Sequence, residues 1–151
     1  MKIVVQSDSF DLGAEVDAMR QGRTDIGAIA SFVGLARDMN DGSGVAAMTL
    51  EHYPGMTEKA LASLVDDACA RWTLLNVTVI HRVGRLLPGD PIVLVVVASS
   101  HRGEAFAACE FIMDYLKTQA PFWKKEETPA GDRWVEARAS DDAAAARWNP
   151  P

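Results

Sequence analysis

The 151-residue chain predicts a mixed α+β fold, and three observations carry that prediction. Several segments of strand length carry apolar residues in alternation or in unbroken runs. Three others carry them at helical spacing, and the two kinds interleave as β-α-β-β-α-β-β-α-β-β. At this length the chain reads as one domain, residues 1–151, able to bury a core without disulfide or metal.

Met1 to Val5 reads as a short strand, and Asp11 to Arg20 as a helix with Leu12, Val16 and Met19 along one side. "DIGAIASFVGLAR", Asp25 to Arg37, is a strand of small residues whose glycines suggest a bend or a close backbone approach. "DMNDGSG", Asp38 to Gly44, has loop chemistry, and "VAAMTLEHY", Val45 to Tyr53, alternates as a half-buried strand. Pro54 to Trp72 is a helix with Pro54 suited to its first turn and a stripe of Leu61, Leu64, Val65 and Ala68. Asn76 to Gly84 is a strand and "LLPGD" a turn. "PIVLVVVASS" is a second strand, its unbroken apolar run implying cover on both faces. Arg102 to Lys117 is a helix with Phe106, Cys109, Met113 and Leu116 on one face. Pro121 stops it, because proline drives the preceding residue out of helical conformation. Two short extended pieces, "FWKKEE" and "DRWVEA", and a helical Ala-rich tail close the chain.

The composition is 48% apolar and 24% charged with a net charge of −6, which argues against broad nucleic-acid binding. An anion site must therefore be a local basic cluster. Cys69 and Cys109 both fall inside helical patterns with no metal-ligand spacing, and are read as two buried thiols, with a disulfide as the alternative. The N-terminus lacks a signal-peptide pattern, and the longest apolar run, Pro91 to Ala98, is far below the ~20 residues that span a bilayer. A cytoplasmic protein without membrane partner, metal or cofactor is expected.

Four places could carry chemistry. In "ASSHRGE" a buried strand ends and a helix begins at once, so Ser99 or Ser100 could cap it while His101 and Arg102 add donors at its positive end. The plainer reading is a capped helix with two solvated basic residues. In "DYLKTQAPFWKKE" the helix stops and Lys117, Lys124 and Lys125 surround the bend. Lys124 and Lys125 point to opposite faces of an extended segment, so one pocket takes at most one of them. Such lysines are ordinarily solvated, but one held near other cations gains a lowered pKa and can act as base or nucleophile. Arg37 enters the Asn/Gly loop, and His52 in "EHYPGMTEK" is read as a structural histidine. Arg133, Trp134 and Arg138 are compatible with edge positions, and nothing separates His81 and Arg82 from surface. The phosphate-loop, dinucleotide, nucleophile-elbow and zinc-protease motifs are missing, and neither cysteine sits in an electropositive context.

His101 and Lys117 bracket one helix about 24 Å long at ~1.5 Å per residue. One small ligand does not touch both ends. Either one end alone is in the site, or two subunits meet there and each contributes a different end.

Together "LEHYPGMTEKAL", "VTVIHRVGRLLPGD", "SSHRGEAF", "FIMDYLKTQAPFWKKE" and "GDRWVEAR" resemble the large, catalytic subunits of molybdopterin synthases over Asp25 to Trp148. The resemblance implies an α/β hammerhead-type mixed sheet with packed helices that dimerises, with one small subunit at each far end. It implies conversion of cyclic pyranopterin monophosphate to molybdopterin by two sulfur insertions. The sulfur would come from the thiocarboxylated Gly-Gly tail of a small ubiquitin-like partner. Lys117 then matches the principal catalytic lysine and Lys124 the second. Arg37, His101, Arg102 and Arg138 match binders of the pterin and its phosphate, with Lys125 and Glu126 alongside. Leu35 stands where many relatives carry a basic residue. The alternative reading is a non-catalytic subunit that holds a phosphometabolite or scaffolds a ubiquitin-like protein.

Overall fold

The computed structural model describes residues 1–135 and 138–149. Its order is β1 (Lys2–Gln6), α1 (Leu12–Arg20), β2 (Ala28–Leu35), β3 (Met39–Asn40), β4 (Ser43–Gly44), β5 (Ala47–His52) and α2 (Met56–Arg71). Then come β6 (Leu74–Arg82), β7 (Gly84–Leu86), β8 (Pro91–Ser99), α3 (Arg102–Gln119), β9 (Phe122–Thr128), β10 (Gly131–Val135) and α4 (Ala139–Ala146). The α+β expectation holds. Of the expected strand Asp132 to Ala137, the last two positions lie outside the described residues.

One sheet runs β1-β6-β8-β2 and a second runs β10-β9-β5-β7, with β3 and β4 forming a separate small hairpin. β1 and β6 pair in parallel, while β8 is antiparallel to both β6 and β2. The unbroken apolar run in β8 has the expected cause. Val93, Val95 and Val97 face α2 and α3, while Leu94, Val96 and Ala98 face the cluster that includes Met19 of α1. Each valine or leucine so buried contributes about 1.5–3 kcal/mol of transfer free energy.

The caps follow local chemistry, with departures. Asp11 accepts a hydrogen bond from the Ala14 amide at 2.9 Å and starts α1. The start of α2 is displaced from the expected Pro54. Its N-cap is Gly55 at φ 86°, a left-handed conformation that glycine adopts without strain, and Glu58 accepts from the Gly55 amide at 2.6 Å. α3 is capped by neither serine. His101 is its N-cap, with no side-chain bond to the first turn, and the Ser99 hydroxyl instead reaches Thr73 O and Glu104 Oε2. Ahead of Pro121, α3 extends to Gln119, and Ala120 is already extended.

Gly27 answers the question of close approach. A Cβ there would lie 2.1 Å from the Ser100 carbonyl oxygen, so only glycine lets β2 run against the turn into α3. Three further expectations are corrected. Phe106 is 66% exposed, although Cys109, Met113 and Leu116, which share its stripe on α3, are buried. Cys69 is exposed, whereas Cys109 is buried and its thiol is pushed up to about 11 by desolvation. "DMNDGSG" is a loop that closes as a two-residue hairpin, with Asp41 and Gly42 at φ 50° and 77°. Among the described residues, no helix is long and apolar enough to cross a membrane.

Candidate active site

The C-terminal end of α3, strands β5 and β9, the β2–β3 connection and the start of α4 enclose a cavity of about 530 Å³. Pro121 makes this possible, because it ends α3 and sends the chain straight into β9. Side-chain alternation along β9 then puts Phe122, Lys124 and Glu126 toward the cavity. Lys125 falls on the other face, over the Trp134 ring at 5.7 Å, directly across the ladder. That removes Lys125 from the candidate pocket.

Five of the sequence-derived candidates meet here: Arg37, Lys117, Lys124, Glu126 and Arg138 all line the cavity. His101 and Arg102 do not, since they sit at the opposite end of α3. Within one copy of the chain, only the Lys117 end of that helix belongs to the site.

The site is locally cationic although the chain is acidic. Arg37, Lys117, Lys124 and Arg138 face Glu126 and Asp141 across the cavity. Desolvation lowers the Lys124 pKa, and the charges of Lys117, Arg138 and Arg37 lower it further, against an opposing pull from Glu126. Lys124 therefore gives up its proton more readily than a solvated lysine.

Glu126 is not a free substrate ligand. It is 3% exposed and accepts from Asn40 Nδ2 on both oxygens at 3.1 Å, from Arg133 Nη2 at 3.1 Å and from Arg133 Nε at 3.2 Å. Lys124 Nζ lies 3.9 Å from its second oxygen. Arg133 Nη2 also donates to the Asn40 carbonyl at 3.1 Å, and Arg138 donates to the Asn40 side-chain oxygen. Asn40 thereby ties the β3–β4 hairpin to β9 and to the start of α4. Arg133 holds the site carboxylate across the β9–β10 ladder, which replaces its reading as an ordinary edge residue.

His81, which the sequence does not separate from surface, is a buried residue of the site. It is 4% exposed, lines the cavity, and stacks on Phe122 with ring centroids 3.8 Å apart. The signal was its parity. His81 shares the face of β6 that carries buried Val77 and Val79. Burial, with the charges of Lys117 and His52, lowers its pKa from 6.5 to about 4, against a hydrogen bond to the Arg82 carbonyl. The folded chain thus resists a proton that the unfolded chain accepts. Stability is expected to fall as pH drops from 6.5 to about 4, by up to about 3 kcal/mol. Urea unfolding at several pH values should show that slope flattened in His81→Phe; an equal slope in both proteins would refute it.

Fold and cavity define an α+β protein with a locally cationic pocket and, among the described residues, no thiol in its lining. Residues 5–119 match the model of the MoaE protein family. The chain is 68% identical to a molybdopterin synthase catalytic subunit of Ralstonia nicotianae, over 97% of this chain and 83% of that relative. It is 60% identical to the subunit of the same name from Escherichia coli, over 97% of each. The solved structure of a molybdopterin biosynthesis MoaE protein from Burkholderia ambifaria superposes with a TM-score of 0.85 at 60% identity, covering 99% of both chains. The chain belongs to the MoaE protein family.

Proposed function

We propose that residues 1–151 act as one catalytic domain, the sulfur-inserting subunit of a cytoplasmic molybdopterin synthase. It converts cyclic pyranopterin monophosphate to molybdopterin, taking two sulfurs, one from each of two thiocarboxylated Gly-Gly tails of a small ubiquitin-like partner, each tail leaving as a carboxylate. The observation that carries this reading is the convergence of Lys117 and Lys124 with Arg37 and Arg138 in a single cavity, while both cysteines lie elsewhere. A sulfur delivered from outside requires no thiolate in the wall.

The roles follow from charge and position. Arg37 and Arg138 present fixed cations that hold the substrate phosphate by charge-assisted hydrogen bonds. Lys117 serves the partner's terminal carbonyl as base or transient acyl acceptor. Lys124, its pKa lowered, supplies or removes protons and stabilises the oxyanion as oxygen gives way to sulfur. Glu126 fixes Lys124 and, through Asn40, the hairpin that borders the pocket. His101 and Arg102 complete the phosphate site from a second copy of the chain, giving an assembly of two large and two small subunits. Their place at the far end of α3 supports that arrangement.

Reconstitution tests the reading. The protein mixed with a thiocarboxylated small subunit and the cyclic substrate should form dithiolene product, and native mass measurement should show two copies of each chain. Absence of product from correctly assembled complex would return the chain to the binding-subunit alternative.

A further inference from the structure

Resting on that reading, we infer that Nε2 of His81 is the hydrogen-bond acceptor that orients the substrate, receiving an N–H of its fused nitrogen heterocycle while the phosphate faces the cations. His81 Nδ1 lies 2.8 Å from the Arg82 carbonyl oxygen. A carbonyl only accepts, so Nδ1 carries the ring proton and Nε2 keeps its lone pair. Nε2 makes no hydrogen bond among the described residues, and none of their sealed side-chain nitrogens or oxygens is left unpartnered. This nitrogen therefore reaches the cavity that His81 lines.

The surrounding chemistry makes it an uncommon resource. Arg37, Lys117, Lys124 and Arg138 offer only donors to a ligand. Glu126 already accepts from Asn40 and Arg133, and the Asn40 side-chain oxygen from Arg138, which leaves His81 and Asp141 as the uncommitted side-chain acceptors of the described wall. Stacking on Phe122 and the clamp to Arg82 fix the imidazole plane, so the lone pair has one direction. Leu116, Ile92 and Phe122 add an apolar wall beside it, suited to the flat body of a bicyclic ring. Burial above all, with the charges of Lys117 and His52, disfavours protonation, which keeps the acceptor open across neutral and mildly acidic pH. A ligand with a phosphate at one end and ring N–H groups at the other matches this polarity.

The test uses the assembled two-subunit enzyme, with the large subunit labelled by ¹⁵N-histidine and the cyclic pterin phosphate as ligand. Saturating ligand should move the His81 Nε2 resonance from its free, unprotonated position toward that of a hydrogen-bonded acceptor. His81→Phe keeps ring volume and stacking but loses the acceptor. It should weaken substrate binding roughly five- to tenfold, with any fall in kcat smaller than the rise in KM, while His81→Gln, which keeps an acceptor, recovers most of the loss. An unmoved resonance in the saturated wild type, or a folded His81→Phe that binds as tightly as wild type, overturns the inference. Should His81→Phe fail to fold, the wild-type resonance decides alone. A wild type that makes product while His81 stays silent fails this inference and leaves the proposed function standing; a wild type that makes no product fails the function itself.

Discussion

Lys117→Ala is expected to lower dithiolene formation by at least about 10³-fold while moving the melting temperature by no more than about 2 °C. The asymmetry follows from where the side chain sits. Lys117 occupies the last turn of α3, is exposed toward the cavity, and makes no ion pair or hydrogen bond among the described residues. Losing it removes a favourable cation at a helix C-terminus, worth a few tenths of a kcal/mol, and opens no void. Chemistry has no comparable substitute. Lys124 is tethered within 3.9 Å of Glu126 and enters from β9, so its amine does not take over the same approach to the partner's tail. Lys117→Arg sharpens the test, because guanidinium keeps the charge but surrenders no proton at neutral pH. Inactivity in both variants identifies an amine that reacts or transfers protons. Full activity in Lys117→Arg would reduce Lys117 to a phosphate-holding charge, and substantial turnover in Lys117→Ala would remove it from the chemistry.

Much of this arrangement is legible in the amino-acid order because it depends on two periods and one breaker. The apolar run of β8 requires cover on both faces, and it has it. Pro121 requires α3 to stop, and alternation beyond it assigns Lys124 and Lys125 to opposite faces, leaving only the direction of each to be decided by the fold. The cationic character of the bend is likewise readable. What escaped reading has a different physical origin. β7 is a three-residue strand that begins at Gly84, φ 91°, where the chain leaves one sheet and joins the other; nothing in so short a stretch separates it from the turn that follows. Asn40 sits in loop-forming sequence, and its importance lies in partners at Glu126 and Arg138, distant along the chain. Arg133 is meaningful only once the β9–β10 register places it across from Glu126. Phe106 fits the apolar stripe of α3 by spacing, yet among the described residues no element covers it. Periodicity reports which face is apolar; it does not report which partner meets that face.

Glu126→Ala is expected to cost about 2–3 kcal/mol of stability and roughly 5–10 °C in melting temperature. The carboxylate is 3% exposed and faces a convergence of Arg133, Lys124 and, through Asn40, Arg138. Breaking a buried pair by deleting one partner ordinarily costs about 3–5 kcal/mol, because the other charge is left uncompensated. Here the side chains of Arg133 and Lys124 are 38% and 31% exposed, so solvent repays part of the loss and the lower figure applies. Glu126→Gln separates charge from hydrogen bonding. It retains an acceptor for Asn40 or Arg133 and should lose about half as much. The effect on chemistry has a definite sign. Glu126 raises the Lys124 pKa, whereas desolvation and the neighbouring cations lower it. Removing the carboxylate therefore drives that pKa further down, and the limb of the pH–rate profile governed by Lys124 should move to lower pH in Glu126→Gln. A Glu126→Ala protein that melts within about 2 °C of wild type would show that Asn40 and the arginines hold the hairpin without it. An unshifted limb in Glu126→Gln would show that Lys124 does not carry the rate-determining proton.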